Sequence, residues 1–217
     1  MSHKKDNLVV AFQGMPGAYS NMACEVYFPN AKTLPCNSFE DMLNSTKNSF
    51  SDFSMVPVEN SIAGRVADIH HLIPDSGLFI VGEHFQRVNH QLLGLKNSNL
   101  ESIETVKSHA QGLAQCRKFI SDHNLSPIQH IDTAGAAEEV SRIGDPKVAA
   151  IASDMASKIY NLKILKNDIE DAEHNTTRFL IMARKPNIPS AEIAKPVTTI
   201  IFEVRSVPAA LYKVLGG

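Results

Sequence analysis

Apolar residues in this chain come in short blocks cut off by glycine, proline or a polar cluster, and between the blocks the pattern turns helical. Leu8 to Phe12 is the first block. It ends at Gln13-Gly14-Met15-Pro16-Gly17 and is followed by helix-compatible residues from Ala18 to Tyr27, which predicts a strand, a tight loop and a helix N-terminus. Phe39, Met42, Leu43 and Thr46 stand at i, i+3, i+4 and i+7, so a helix is expected over 39–50. Phe53 to Val58 is a second strand block, with Glu59-Asn60-Ser61 directly after it. Ile62, Val66, Ile69 and Ile73 fall on one face and predict a helix over 62–73 with Ser61 as its N-cap. Leu78 to Val81 and Gln91 to Leu95 read as strands.

A second series begins after Asn99. Strands are expected at 105–107, 128–131, 148–151 and 162–165. Helices are expected at 108–120, at 134–142 behind an Asp132-Thr133 cap, and at 153–160 behind Ser153. The last block is Leu180-Ile181-Met182, and His174-Asn175-Thr176-Thr177-Arg178-Phe179 leads straight into it. Repeated strand–loop–helix units predict an α/β protein with mostly parallel sheets. There are too many units for one small sheet, and polar clusters close at least three strands, so two α/β lobes with a central cleft are expected. Lys185 to Ser190 reads as a linker, followed by a strand over 198–204 and a helix from Pro208 to Leu215. That last piece is too short to bury a core of its own.

Composition adds exclusions. The 217 residues are 43% hydrophobic and 20% charged with a net charge of -2, an ordinary balance that argues against nucleic acid or an anionic membrane as main partner. No apolar run approaches the roughly 20 residues of a membrane span, and the first ten residues hold no signal-peptide core. Cys24, Cys36 and Cys116 are odd in number and widely spaced, which suits a reducing cytoplasm and no disulfide framework. The nine histidines, including the adjacent His70 and His71, show no chelating spacing, so no metal is expected.

Ligands of open α/β sheets bind where strands end and helices begin, and free N–H groups at helix N-termini favour anions. Four clusters stand at such places: Gly14 to Ser20, Glu59 to Gly64, Ser108 to Gln111, and Asp132-Thr133. The first is neither a P-loop nor a dinucleotide fingerprint. A carboxylate or phosphate ligand is the expectation.

Gln13-Gly14-Met15-Pro16-Gly17-Ala18-Tyr19-Ser20, Val56-Pro57-Val58-Glu59-Asn60-Ser61-Ile62-Ala63-Gly64, Ser108-His109-Ala110-Gln111 and Asn175-Thr176-Thr177-Arg178-Phe179 occur in one order. In that order and spacing the chain resembles prephenate dehydratase over about residues 8–184. The segments Thr199-Ile200-Ile201-Phe202 and Pro208-Ala209-Ala210-Leu211-Tyr212 resemble the start of that family's phenylalanine-binding ACT domain. The chain departs from the family at His109-Ala110-Gln111-Gly112, usually His-Pro-Gln-Ala, and at Val207-Pro208-Ala209-Ala210, usually Arg-Pro-Gly-Ala.

The resemblance implies a catalytic region over 7–185 with the two-lobed architecture of type II periplasmic binding proteins. Its lobes would be 7–85 plus 175–185 and 86–174, followed by a linker over 186–196 and a partial ACT domain over 197–217. It implies a cytoplasmic carbon–oxygen lyase of L-phenylalanine biosynthesis, a homodimer or homotetramer, that uses no cofactor. L-Phenylalanine is expected as effector of the full-length family but not of this chain, which would hold one ACT strand and the start of one helix.

Prephenate is a dianion that becomes phenylpyruvate by losing carbon dioxide and water, and the difficult step is the departure of hydroxide. A neutral hydroxyl donor avoids repulsion with the dianion, so Thr177 is the expected donor. Asn60 and Gln111 are the expected catalytic neighbours that orient substrate by neutral hydrogen bonds, with Ser61 beside them as a binding residue. Arg178 would hold a carboxylate or brace the cleft. It and Thr177 are sequence neighbours and share a ligand only if the strand end bends. Glu59 is expected to brace, His109 to cap or bind, Phe179 to form core or pocket wall, and Thr176 to face away. The alternatives are an arogenate dehydratase and a non-catalytic two-lobed anion-binding protein, a receptor or regulator for which the chain shows no signal peptide or helix-turn-helix.

Overall fold

In the computed structural model, Val10 and Phe12 pack into one buried cluster and Ala11, between them, into another. Met55 and Val56 divide in the same way, as do Phe179 and Ile181 against Leu180 and Met182. Successive strand residues point to opposite faces, and a strand covered on both faces has no polar side to alternate with. The apolar blocks at 8–12, 53–58 and 180–182 are therefore central strands between two helical layers. Burying a side chain such as Phe179, which is 1% exposed, contributes roughly 1.5–3 kcal/mol.

The structure describes residues 7–188, 197–200, 202 and 204–216. In chain order the elements are β1 (Val9–Gln13), α1 (Tyr19–Tyr27), β2 (Lys32–Cys36), α2 (Phe39–Lys47), β3 (Phe53–Asn60), β4 (Gly64–Arg65), α3 (Ala67–Leu72) and β5 (Phe79–Arg87). Next come β6 (Gln91–Gly94), β7 (Thr105–His109), α4 (Ala110–Gln115), α5 (Arg117–Asp122), β8 (Ser126–His130), α6 (Thr133–Ile143), β9 (Val148–Ala152), α7 (Asp154–Ile159) and β10 (Lys163–Lys166). The last two are β11 (Thr176–Ala183) and α8 (Ala210–Leu215). One sheet has the order β2-β1-β3-β11-β5, with β4 paired to β3, and the other β10-β6-β9-β7-β8. Helix α1 covers one face of the first sheet, and α2 and α3 the other. In the second sheet, α6 and α7 pack on one face and α5 on the other. The chain passes between the sheets twice, after β5 and before β11.

Several expectations are corrected. The sheets are mixed: β1 runs parallel to β2 and β3, but β11 is antiparallel to both β3 and β5, because it re-enters the first sheet from the second. The hydrophobic pattern does not predict β2. It is an edge strand with no buried residue, so no apolar block marks it, and its Pro35 is tolerated at an edge. β5 runs six residues past the expected end at Val81, since β11 pairs with it as far as Arg87. The helix expected over 62–73 starts only at Ala67. Ahead of it, Asn60 Oδ1 accepts from the N–H groups of Ile62 and Ala63, and Gly64-Arg65 folds back on Glu59-Asn60. The helix expected over 108–120 divides into α4 and α5 at the buried Cys116.

Residues 187–217 are a second compact unit. The strand expected over 198–204 is not formed by its described residues; Ile201 and Glu203 lie outside them, as do 189–196 of the linker. A single strand has no ladder to join within so short a unit. Helix α8 begins after Ala209, whose φ of 61° places it in the left-handed region. A glycine adopts that region freely, while alanine is strained there. Among the described residues, no helix is long and apolar enough to cross a membrane.

Candidate active site

A cleft of about 520 Å³ opens between the two sheets, with walls from both. The loop from Gly14 to Ala18 is divided in its duties. Its middle docks on the second sheet's half: Ser153 Oγ donates to Gly17 O at 2.6 Å and Tyr160 Oη to Pro16 O at 2.8 Å. Gly17 has φ 88°, and a Cβ there would lie 2.9 Å from Ala156 Cα, so both its conformation and this approach require glycine. Gly14, Ala18, Tyr19 and Ser20 face the cleft. Helix α1 starts behind Ala18 with no side-chain cap, so its N-terminal N–H groups and positive dipole end are left for an anion. Across the cleft, Asp132 caps α6 by accepting from Gly135 N at 2.6 Å.

Thr177 stands on β11 opposite Asn60 of β3. The two N–H groups that Asn60 Oδ1 accepts, from Ile62 at 3.0 Å and Ala63 at 2.8 Å, are backbone donors and leave no doubt about which amide atom is oxygen. Asn60 Nδ2 therefore donates, to Thr177 Oγ1 at 3.0 Å and to Asn175 Oδ1 at 2.7 Å. Thr177 Oγ1 is an acceptor from Asn60, and among the described residues no acceptor engages its own proton. The hydroxyl is set as a donor toward the cleft.

The chain of polar groups continues. Asn175 Nδ2 donates to Gln115 Oε1 at 2.9 Å, and His90 Nε2 lies 2.7 Å from the same oxygen. Tyr19 Oη is 2.8 Å from His90 Nδ1 and 2.8 Å from Asn89 O. His90 is 2% exposed, and burial depresses its pKa below the ordinary histidine range against the opposing pull of Gln115 and Glu170. The tyrosine's pKa is raised, chiefly by burial, so it stays protonated.

Gln111, His109 and Phe179 also line the cleft. His109 Nδ1 accepts from Gln111 N at 3.2 Å, which in the neutral ring leaves the proton on Nε2 as a further donor. Phe179 combines both expected roles, packing in the core while closing one wall.

Ser61, Glu59 and Arg178 are not brought into this cleft. They line an adjoining depression of about 210 Å³ with Thr176 and Phe85, which shares Asn60, Gly64 and Arg65 with the cleft. Strand alternation carries the point: Thr177 and Phe179 face one side of β11, Thr176 and Arg178 the other. The bulge beside Arg178 in the β3 pairing does not bend β11 enough to merge the two sides. Ser61 Oγ donates to His174 O at 2.7 Å and accepts from Thr176 N at 3.0 Å, which fastens the turn to the start of β11. Arg178 donates to Glu83 Oε2 from Nε at 3.1 Å and from Nη2 at 2.8 Å, and lies 3.8 Å from Glu59 and 5.9 Å from the Phe85 ring centre.

Arg178→Lys is therefore expected to leave KM within about threefold and to lower stability by at most about 1 kcal/mol, the scale of a partly exposed ion pair. Steady-state kinetics and a thermal melt check both. A KM rise above tenfold would put the guanidinium on the substrate after all.

Sequence reading missed Arg65, His90, Gln115 and the inward role of Tyr19. Arg65 is the one Lys or Arg among the described cleft residues. Tyr19 and Asn175 lay inside quoted motifs, but His90, Arg65 and Gln115 carried no local signal.

The family model described as prephenate dehydratase matches residues 10–187. A bifunctional N-acyl-homoserine lactone acylase/prephenate dehydratase of Komagataeibacter europaeus is 46% identical over 213 residues, which cover 96% of this chain and 74% of that protein. Arogenate dehydratase/prephenate dehydratase 1 of Arabidopsis thaliana is 41% identical over 207 residues. This chain spans 52% of its length, about half, as it does for other plant relatives. The crystal structure of an Arthrobacter aurescens prephenate dehydratase in complex with L-Phe superposes with a TM-score of 0.81 at 25% identity, covering 96% of this chain and 71% of that one.

Proposed function

The chain belongs to the prephenate dehydratase family, and from that premise we propose that its cleft converts prephenate to phenylpyruvate with Thr177 as the donor to the leaving hydroxyl. The observation that carries this is Asn60's grip on Thr177: Nδ2 donates to Oγ1 and leaves the Thr177 proton free for the substrate. As the ring carboxylate departs as carbon dioxide, the electron pair of its carbon–carbon bond moves into the ring and expels the para hydroxyl. That oxygen takes a proton that Thr177 relays from solvent in the open cleft, and leaves as water. The ring gains aromaticity, so the reaction needs no metal or redox cofactor.

Arg65 and the uncapped start of α1 supply the positive potential for a dianion. Arogenate carries an ammonium where prephenate carries a keto group, and a guanidinium in the cleft disfavours it. Purified protein is expected to turn over prephenate faster than arogenate. Arg65→Gln is expected to raise KM for prephenate about tenfold, to leave kcat within about threefold, and to narrow the preference. Absorbance of phenylpyruvate and chromatography of phenylalanine measure the two products. Equal KM in wild type and variant would remove Arg65 from binding, and failure to consume either substrate would overturn the function.

In the same reading 7–185 is the catalytic region, 186–196 a linker, and 197–217 the start of an ACT domain, in a cytoplasmic homodimer or homotetramer. The Pro208 to Tyr212 motif supports the ACT assignment, and the three free cysteines support a reducing compartment.

A further inference from the structure

Six side chains make one polar thread from the first sheet's half to the second's and back: Tyr19, His90, Gln115, Asn175, Asn60 and Thr177. Its direction is set at one end. Backbone N–H groups of Ile62 and Ala63 can only donate, so Asn60 Oδ1 is the acceptor and Nδ2 the donor. Asn175 must then present Oδ1 to Asn60 and Nδ2 to Gln115. Gln115 must present Oε1, and His90, facing that oxygen, must hold its proton on Nε2. His90 Nδ1 is left as an acceptor 2.8 Å from the Tyr19 hydroxyl, whose single proton is shared between that nitrogen and the equally distant Asn89 O. From Asn60 to His90 each link permits one orientation of the next.

The placement of the thread matters as much as its polarity. His90 and Asn175 sit on the two segments where the chain passes between the sheets, and Val88 N donates to Asn175 O at 2.9 Å across them. Tyr19 lies on α1, packed on the first sheet, and Gln115 ends α4, beside the second. Glu170, which precedes β11, accepts from His90 N at 2.8 Å. His90 thus has both ring nitrogens and its backbone N–H engaged, and spans the junction.

We propose that His90 is a positioning residue for the reaction: as the neutral Nε2–H tautomer it ties α1 to α4 across the junction and, through Gln115, Asn175 and Asn60, keeps the Thr177 hydroxyl aimed into the cleft. The proposal rests on Thr177 being the donor, and it adds that a group in both halves of the molecule sets that donor's aim.

The test is a double-mutant cycle on kcat. His90→Leu removes both ring contacts, and it is expected to lower kcat about 10- to 100-fold, the effect of a slightly misplaced catalytic group, with KM within about threefold. In the Thr177→Ala background the same change is expected to lower kcat less than twofold, because the group it aims is gone. His90→Gln, which offers a donor at the Nε2 position, is expected to recover part of the loss. If His90→Leu fails to fold, Tyr19→Phe and Gln115→Met carry the same cycle. Equal losses in both backgrounds, or a lowered melting temperature with unchanged kcat, would overturn the proposal. A Thr177→Ala enzyme with near wild-type turnover would instead overturn the donor assignment, so the two failures are distinguishable.

Discussion

Thr177→Ala is expected to fold with an unchanged melting profile and to lose about 10²- to 10⁴-fold in kcat, the range for one proton-transfer group. The Thr177 hydroxyl is held from behind and, among the described residues, open in front. Asn60 Nδ2 reaches its oxygen at 3.0 Å, and that contact consumes a lone pair, not the proton. Thr177→Ser keeps the oxygen but gives up the methyl that restricts its rotamer, so it should retain more activity than alanine and less than wild type. KM should move little in both, because a donor whose bond grows as the carbon–oxygen bond breaks acts mainly on the transition state. The measurement is a substrate titration beside a thermal melt. An alanine variant within about threefold of wild-type kcat would rule Thr177 out.

The second large effect is expected at Asn60, whose amide joins the 60–63 turn, Asn175 and Thr177. Asn60→Ala strands the buried Asn175 Oδ1, and it gives up the Ile62 and Ala63 N–H groups of an exposed turn to water. The buried oxygen left without a partner costs roughly 1–3 kcal/mol, so this variant should be less stable as well as slow. Asn60→Asp separates the two roles. A carboxylate still accepts from Ile62 and Ala63, so the turn survives, but it cannot donate to Thr177 or Asn175. It would accept the Thr177 proton and turn the hydroxyl away from substrate. The carboxylate also faces the buried Asn175 Oδ1, acceptor against acceptor, so we expect Asn60→Asp to melt below wild type as Asn60→Ala does, and to lose about 10²-fold in kcat, the loss that follows when a catalytic group is misaimed. If Asn60→Asp turns over at the wild-type rate, Asn60 is a turn cap and nothing more.

These two residues show how far the sequence reached. The apolar blocks at 8–12, 53–58 and 180–182 marked central strands because hydrophobic burial is written locally, residue by residue. The helix caps at Asp132 and Ser153 were legible for a similar reason: a cap bonds to N–H groups three residues away. The motif Asn175 to Phe179 singled out the strand that carries the candidate donor, and alternation along that strand already implied that Thr177 and Arg178 face opposite ways.

What the sequence could not carry were partners far apart in the chain. Whether Arg178 meets a substrate or Glu83 depends on β5 lying beside β11, a pairing of residues 95 apart. Ser61 looked like a helix cap because its neighbours are close in sequence, but its hydroxyl bonds 113 residues away, to His174. His90 has no motif around it at all. Its role exists only where α1, α4 and both crossing segments converge. Most strands and the candidate donor Thr177 were thus legible in the sequence alone, because both depend on local periodicity and residue type. Which polar groups share the cleft, and which way each amide and the imidazole must point, was decided by the tertiary structure, because hydrogen bonds are directional and these join residues that only the fold brings within 3 Å.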